Sequence, residues 1–369
     1  MTSIESVEGV GPVAAKKLRE VFVSSAELLA VQNPSQLHAK TNLGEGTCLK
    51  IVRNARQLVG TFGFMSGLDV EKAMATKPRL KTGVAEVDAY LLGGIEAGTI
   101  VELFGPARGG KTQWCAQLAV RAQMPLEQGG LGGRVLWLDT EGSFEPHIIR
   151  AVAYRFGLDP DVVLDNIGRA EVVLSTQMSE LFETIPQLCM DQGRRLVIVD
   201  SLTGLFRVEY TSLDQLRVRQ RDINQLLSQM RRAAVATGCI FVYTNQVMAN
   251  ISPISKNPLI PVGGHVLAHG SDYRFYTKRK MKDIREIELQ DNAGIPEFKS
   301  DVLIGWGGLY GSAKEKAEME PRVQEYLRSR GIQTTVDKAD DDSKRRGKSG
   351  RAKRKEVEYD EEEEEETEE

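Results

Sequence analysis

One short segment restricts the folds open to this chain more than any other. Residues 105–112 read Gly-Pro-Ala-Arg-Gly-Gly-Lys-Thr, the pattern G-x-x-x-x-G-K-T, directly after an apolar run and directly before a helical stretch. In such a loop, glycines let backbone N–H groups surround a β-phosphate, the lysine reaches the β- and γ-oxygens, and the threonine hydroxyl ligates Mg²⁺. The segment therefore predicts an α/β fold that binds ATP and Mg²⁺. The residues of the predicted loop are Gly105, Pro106, Ala107, Arg108, Gly109, Gly110, Lys111 and Thr112.

The chain around this loop has the pattern of a mostly parallel sheet. From residue 81 to about residue 311, short β-branched runs alternate with amphipathic stretches. The candidate strands are residues 99–104, 134–139, 196–200 and 239–244. Because ligands of open α/β sheets bind at the carboxyl ends of the strands, Asp200 is expected to hold Mg²⁺ together with Thr112. Glu141 follows another candidate strand and is interpreted as the residue that positions or activates the attacking water. The alternative for Glu141 is an exposed loop acid.

Two short segments near the start resemble each other. In residues 9–18 and 44–52, a glycine-flanked turn leads into a short helix with a lysine near its start. Glycine permits a tight turn with positive φ, and the first N–H groups of a helix are available to an anion. These turns, which contain Gly11 and Gly46, predict a helix-hairpin-helix grip on a phosphate backbone. The alternative is a pair of capping turns in a small helical bundle.

Charge divides the chain into a near-neutral body and a charged end. The net charge is −4, but residues 343–369 contain 8 Lys/Arg and 11 Asp/Glu, which leaves 40 Lys/Arg and 41 Asp/Glu elsewhere. Any affinity for DNA must therefore come from local patches. The end is basic over residues 343–355 and acidic over residues 356–369, which predicts a solvated tail. The alternative for the basic part is a targeting or DNA-contacting segment.

We predict four regions along the chain. They are a small all-α domain over 1–60, a linker over 61–80, a nucleotide-binding core over 81–311, and a charged, disordered tail over 312–369. We identify no signal peptide and no run of roughly 20 apolar residues. The four cysteines form no CxxC pair, which suits a reducing compartment. These features predict a cytoplasmic protein without membrane contact.

Several motifs occur in a specific order along the chain. They are Thr82-Gly83 with Asp88, residues 91–95, the P-loop continued by Gln113, residues 138–144, Val199-Asp200-Ser201, residues 244–247 and residues 262–269. This ordered set resembles the RecA/RadA recombinase family, and in particular the archaeal RadA proteins and their eukaryotic counterparts. The resemblance covers residues 4–310, and the acidic tail is not part of it.

The resemblance implies a fold and a set of ATP-site residues. The fold is a RecA-type P-loop ATPase core, preceded by a small all-α helix-hairpin-helix domain that binds DNA. Lys111, Glu141 and Gln246 would be catalytic, with Gln246 coupling the γ-phosphate to the DNA loops. The other implied residues of the ATP site are Gln113, Asp200, Ile148, Asp291, Pro296 and His269. Asp291 and Pro296 resemble a cap that covers ATP from the adjacent protomer, Asp291 is also a candidate ligand for K⁺, and His269 resembles a γ-phosphate sensor.

The resemblance also implies partners and the surfaces that bind them. The family forms helical filaments or rings on single-stranded DNA, exchanges strands with a homologous duplex, and works with mediator proteins at the nucleoid. The two DNA loops would be residues 207–219 and 247–261, with a core or capping role as the alternative for Tyr210. The implied DNA-binding residues are Arg207, Tyr210, Arg219, Gln220, Met248, Gly263, Gly264, Gly11 and Gly46. Phe64 and Gly67 resemble a polymerisation motif whose aromatic ring inserts into a neighbouring subunit.

Three departures from the family pattern leave two functions open. An arginine that stacks on adenine is replaced by Ile148, so that either Ile148 covers the base or Arg150 substitutes for the missing cation. The first DNA loop has Ser212-Leu213-Asp214 in place of Gly-Arg-Gly. In the P-loop, Arg108 replaces a small residue, and it either adds a cation near the phosphates or points to solvent. The chain is then either an active strand-exchange enzyme or an accessory paralogue that binds ATP and regulates recombinase filaments.

Overall fold

The computed structural model describes residues 1–60, 63–210, 212, 214–249 and 259–334. The chain divides into two compact units, Met1–Tyr326 and Leu327–Glu369. The charged segment 343–369 and the middle of the second predicted DNA loop lie outside the described residues.

The first sixty residues form helices around an apolar cluster of their own. The helices are α1 (Pro12–Glu20), α2 (Ala26–Ala30), α3 (Pro34–Thr41) and α4 (Glu45–Leu58), after a 3-10 turn at Ile4–Ser6. Proline stands at the first position of α1 and α3, where its missing N–H is not needed. Leu18, Leu29 and Ile51 are fully buried in the cluster. Because α4 begins at Glu45, the turn predicted around Gly46 is instead the first turn of that helix.

The predicted linker contains a helix. Helix α5 (Gly67–Ala75) begins after Ser66, whose Oγ accepts a hydrogen bond from the N–H of Asp69, and it buries none of its residues. Strand β1 (Arg79–Leu80) then pairs antiparallel with β2 (Ile95–Glu96). The Ser66 cap explains a helix in a segment whose composition predicts none.

A nine-stranded sheet organises the rest of the unit. Its strands are β3 (Ile100–Phe104), β4 (Arg134–Asp139), β5 (Ile167–Glu171), β6 (Arg194–Asp200), β7 (Ile240–Asn245), β10 (Tyr273–Arg279), β11 (Ile284–Asp291), β12 (Phe298–Gly305) and β13 (Gly308–Tyr310). The order is β13-β12-β11-β10-β3-β7-β6-β4-β5. Pairing is parallel from β10 to β5 and antiparallel from β10 to β13. The predicted α/β fold with a mostly parallel sheet is confirmed, and the four predicted strands correspond to β3, β4, β6 and β7.

Helices cover both faces of this sheet. They are α6 (Ala85–Tyr90), α7 (Lys111–Arg121), α8 (Pro146–Arg155), α9 (Pro160–Asp165), α10 (Ser175–Asp191), α11 (Gly204–Glu209), α12 (Leu216–Thr237), α13 (Gly264–Gly270) and α14 (Ala313–Ser329), with a 3-10 turn at Leu126–Gln128. Along β6, Leu196 and Ile198 enter one apolar cluster, and Val197 and Val199 enter the other. A strand buried on both faces explains why this run is continuously apolar.

One pair of strands lies apart from the main sheet, and one helix stands where the sequence predicts a tail. Strands β8 (Val247–Ala249) and β9 (Leu259–Pro261) form an antiparallel pair inside the second predicted DNA loop. The predicted tail from residue 312 begins instead with α14, because Glu315 and Glu320 accept hydrogen bonds from groups of the core. No helix in the described part of the chain has the length and apolar composition of a membrane span.

Candidate functional site

The P-loop joins β3 to α7 and packs closely against the neighbouring strand β10. Gly105 has φ +148°, and a Cβ at this position would lie 2.0 Å from the carbonyl oxygen of Thr277. Only glycine fits this close approach of two backbones. Arg108 is exposed, has φ +62°, and accepts a hydrogen bond on its carbonyl oxygen from Nε of Arg285 at 2.9 Å.

The start of α7 has the features of a phosphate site. Gly110 precedes the helix with φ +98°, and no side chain of the described residues caps the first N–H groups. Such groups bind an anion. Nζ of Lys111 donates to the carbonyl oxygens of Gly105 and Pro106 at 2.8 and 3.1 Å, inside the same loop. Burial lowers the pKa of Lys111, and the charges of Asp200 and Glu141 oppose that shift. A cation and free N–H groups at one loop fit the phosphates of a nucleotide.

Thr112 and Asp200 place hydroxyl and carboxylate oxygens next to each other at the start of α7. The hydroxyl of Thr112 donates to Oδ2 of Asp200 at 2.8 Å, and the hydroxyl of Ser143 donates to the same oxygen at 2.9 Å. The hydroxyl of Thr244 donates to the other carboxylate oxygen. Burial raises the pKa of Asp200, and these three hydroxyl groups oppose the rise. Hydroxyl and carboxylate oxygens are ligands that Mg²⁺ accepts, so Thr112 and Asp200 fit the predicted metal.

Glu141 belongs to a chain of hydrogen bonds. Its Oε1 accepts from the hydroxyl of Ser201 at 2.7 Å and from Nε2 of Gln246 at 3.0 Å. Oε1 of Gln246 in turn accepts from a guanidinium N–H of Arg207. The two carboxyl-end loops after β4 and β7 are thereby joined to α11, which begins the first predicted DNA loop.

These groups line one cavity of about 620 Å³. The predicted residues on its wall are Gly105, Pro106, Ala107, Arg108, Gly109, Gly110, Lys111, Thr112, Gln113, Glu141, Asp200 and Gln246. Residues for which sequence reasoning assigned no role here also line it, namely Ser201, Thr244, Val247, Arg285 and Ile304. Ser201 directly follows β6 and Thr244 lies near the end of β7, so both could have been found from recognisable strands. Arg285 and Ile304 belong to antiparallel strands far along the chain, and no local pattern marks them.

The remaining predicted ATP residues do not line this cavity. Ile148 is half-buried in α8 against the core, and Asp291 and Pro296 are exposed at and after the end of β11. His269 lies in α13. Arg150, the alternative adenine contact, is paired with Asp161 of α9 at 2.6 Å. The structure therefore does not bring these residues together with the phosphate loop within one chain.

The predicted DNA residues lie on several elements. Tyr210 follows α11 and donates its hydroxyl to Asp222 of α12 at 2.8 Å, with its ring stacked on Phe206. The hydrogen bond to Asp222 raises the pKa of the phenol. The other predicted DNA residues of the core are Arg219 and Gln220 in α12, Met248 in β8, and Gly263 and Gly264 at the start of α13. Thr211, Leu213 and residues 250–258 of the two loops lie outside the described residues.

The predicted N-terminal residues lie outside this site. Gly11 precedes α1 with φ −86°, so the positive φ of the first turn belongs to Gly9, at +92°. Phe64 is fully exposed, with a relative accessibility of 108%, and Gly67 is the first residue of α5.

Comparisons with known proteins cover most of the chain. The Rad51 family model matches residues 75–311. The chain is 33% identical over 326 residues to the DNA repair and recombination protein RadA of Cenarchaeum symbiosum, an alignment that covers 87% of this chain and 82% of that protein. It is 35% identical over 296 residues to the protein of the same name from Metallosphaera sedula, with 80% and 91% covered. The phosphate loop, residues 105–112, lies within the range that the family model matches.

Proposed function

Because this chain belongs to the Rad51/RadA family, we propose that it is a DNA-dependent ATPase that acts as a recombinase in DNA repair. It forms filaments on single-stranded DNA and promotes homologous pairing and strand exchange. The observation that supports this most strongly is the contact chain from Glu141 through Gln246 to Arg207, which joins the phosphate cavity to the first predicted DNA loop.

The residues of the cavity have different roles in ATP hydrolysis. Lys111 and the N–H groups at the start of α7 bind the β- and γ-phosphates. Thr112 and Asp200 would hold Mg²⁺, which would supply positive charge to neutralise the phosphates. Glu141, oriented by Ser201 and Gln246, orients the attacking water and accepts its proton.

The contact between Gln246 and Arg207 supports coupling of hydrolysis to DNA. A phosphate of DNA competes with Gln246 for the guanidinium of Arg207, because charged acceptors form stronger hydrogen bonds than an amide oxygen does. When Arg207 turns to DNA, Gln246 is free to change its contact with Glu141. DNA binding thereby changes the position of the group beside the catalytic carboxylate.

Assembly completes the ATP site in this proposal. Asp291, Pro296 and His269 do not line the cavity of their own chain, which supports their action on the nucleotide of a neighbour. Phe64 is exposed and available to insert into the next subunit. Asp291 would also supply a carboxylate ligand for K⁺ in the assembled site. Such filaments form on DNA at the nucleoid, in the cytoplasm, and meet duplex DNA and mediator proteins there.

An accessory role is the second candidate. It is favoured by Asp214 in the first predicted DNA loop, which adds an acid facing a polyanion, and by Ile148 at the position of the adenine-stacking arginine. Such a paralogue would bind ATP and regulate the filaments of another recombinase.

A strand-exchange assay separates the two functions. Purified protein, ATP and Mg²⁺ are incubated with circular single-stranded DNA and a homologous linear duplex. The joint molecules are then separated on a gel and quantified. The recombinase proposal predicts joint molecules with the wild type and none with Lys111→Ala. ATP hydrolysis without joint molecules would instead support the accessory function.

A further inference from the structure

We propose that Glu102, Asn245 and Thr203 form a buried hydrogen-bond network, which we call the stem network, that joins the stems of the two predicted DNA loops. This network determines how strongly DNA stimulates ATP hydrolysis, so the proposal rests on the DNA-dependent ATPase proposed above. The three side chains are fully buried, and none of the three lines the phosphate cavity. They are therefore positioning residues, which act through the groups that they hold.

Asn245, the last residue of β7, uses its whole amide group in the stem network. Its Oδ1 accepts a hydrogen bond from the hydroxyl of Thr203 at 2.8 Å. Its Nδ2 donates to Oε1 of Glu102 and to the carbonyl oxygen of Val262, both at 2.8 Å. An amide offers two N–H groups and one oxygen, so each of them has a partner. A buried side chain held by three such bonds keeps one orientation.

Two of these partners belong to the stems of the predicted DNA loops. Val262 directly follows the second loop, and its N–H donates to the carbonyl oxygen of Gln246, which directly precedes that loop, at 2.9 Å. Thr203 directly precedes α11, and its carbonyl oxygen accepts from the N–H of Arg207, where the first loop begins, at 3.2 Å. Asn245 therefore joins the closed end of one loop to the start of the helix that leads into the other.

Glu102 connects the stem network to the strand that leads into the phosphate loop. It lies on β3, and its Oε2 accepts from Nε of Arg274 on β10 at 2.7 Å. The guanidinium of Arg274 also lies over the ring of Phe104, 5.1 Å from its centroid. Apolar side chains of similar volume often stabilise a core as well as a buried ion pair does. We infer that these polar groups fix the position of the end of β7 beside β3, and with it the position of Gln246.

The stem network holds the two stems at a fixed separation while DNA binds. The contact between Arg207 and Gln246 is exposed, whereas the bond between Thr203 and Asn245 is buried, so DNA can reach the first and not the second. When a phosphate of DNA takes the guanidinium of Arg207, the buried bond keeps the start of α11 in place. The change at Arg207 then alters the contact between Gln246 and Glu141, because the helix cannot shift to compensate for it.

The test measures how far single-stranded DNA stimulates ATP hydrolysis by the full-length protein. Thr203→Val keeps the volume of the side chain and removes the donor to Asn245. It should lower the stimulation roughly 2- to 10-fold, the factor that one hydrogen bond contributes to an equilibrium, and leave ADP affinity and DNA-independent hydrolysis near the wild type. Thr203→Ser keeps the hydroxyl and should retain the stimulation. Phosphate release at saturating DNA and isothermal titration with ADP measure these quantities.

Two further variants control for loss of packing. Thr237 is also buried, at the end of α12, and its hydroxyl donates to the carbonyl oxygen of Ala233, so Thr237→Val makes the same change away from the loops and should keep the stimulation. Thr203→Ala removes the same donor as Thr203→Val without a branched side chain and should give the same loss of stimulation. The alanine variant therefore decides the question if thermal melting shows that the valine variant is unfolded.

The outcomes separate this proposal from the function on which it rests. Full stimulation in the Thr203 variants that lack the hydroxyl overturns the stem network. An equal loss in Thr237→Val, or an equal fall in DNA-independent hydrolysis, overturns it as well, because either result shows a general effect on the fold. If the wild type hydrolyses ATP at the same rate with and without DNA, the proposed DNA-dependent ATPase itself is wrong.

Discussion

At the scale of single residues, the most informative group is the carboxylate of Glu141. Its Oε1 accepts hydrogen bonds from Ser201 and Gln246, and it lines the cavity with Lys111. Two donors on one oxygen fix the orientation of the group and leave Oε2 for another partner. We propose that this second oxygen holds the water that attacks the γ-phosphate.

Replacing this carboxylate by its amide tests the assignment. Glu141→Gln keeps the shape but removes the base, so we expect ATP binding to persist and turnover to fall about 100-fold or more. Phosphate release with and without single-stranded DNA measures turnover, and ADP titration measures binding. Lys111→Ala is the comparison variant and should lose nucleotide binding. Normal turnover in the glutamine variant would remove Glu141 from this role.

At the scale of secondary-structure elements, an ion pair between a buried carboxylate and a half-buried arginine links β4 and β5. The carboxylate of Asp139 is fully buried and accepts from Nε and Nη2 of Arg169 at 3.1 and 2.7 Å. It also accepts from the N–H groups of Ser143 and Phe144. Burial alone would raise the pKa of Asp139, but the hydrogen bonds from Arg169 and the two N–H groups outweigh it and lower the pKa. The pair thereby anchors the loop that bears Glu141.

The direction of this pKa shift gives a prediction for stability. A carboxyl group whose pKa is depressed on folding contributes stability above its unfolded pKa, about 3.9, and loses it as the pH falls through the folded value. Arg169→Gln should therefore lower the free energy of unfolding by about 1–3 kcal/mol at pH 7 and by less near pH 3. Urea denaturation at both pH values measures this. Arg134→Gln, an exposed change on the same β4, should have little effect; an equal loss from Arg169→Gln at both pH values would contradict the argument.

The segment before α5 gives a prediction for assembly. Phe64 is fully exposed in the single chain, and burying its ring in a neighbour contributes roughly 1.5–3 kcal/mol per interface. Phe64→Glu should yield small particles by light scattering and much reduced ATP hydrolysis, because in our proposal the ATP site is shared between subunits. Val13→Glu adds the same charge to the exposed face of α1 and serves as the control. Long filaments of Phe64→Glu would show that the interface lies elsewhere.

At the scale of the whole molecule, charge is concentrated at one end of a nearly neutral chain. Residues 356–369 are a polyanion next to the basic stretch 344–355, outside the described residues. We predict that this segment pairs with the basic stretch or competes with DNA for cationic groups. Both effects act over about a Debye length, near 10 Å at 0.1 M salt.

Deleting residues 356–369 tests this competition. The truncated protein should bind DNA more tightly, most of all at low salt, and its affinity should fall more steeply with salt. Each newly engaged cation releases a further counterion from DNA. Fluorescence anisotropy with labelled single-stranded DNA across a salt series measures both effects. Coincident binding curves for the two proteins would instead establish an inert, solubilising tail.

The phosphate loop and the parallel half of the sheet were predictable from the amino-acid sequence. Both depend on signals within a few residues: glycines and a lysine at fixed spacing, and apolar runs such as that ending at Asp200. Local spacing suffices here because a strand–loop–helix unit positions its own N–H groups and hydroxyl. Glu141 was predictable for the same reason, since it follows a recognisable strand.

The groups from distant parts of the chain that complete the site could be identified only from the folded structure. Arg285 and Ile304 reach the cavity through β11 and β12, where apolar and charged residues mix. The polar sequence of α14 predicts a tail. The helix is instead held to the core by hydrogen bonds that Glu315 and Glu320 accept. Periodicity specifies what kind of element a segment forms, but not which element packs beside it. That choice depends on burial and hydrogen bonds between residues far apart in the chain, which exist only after it has folded.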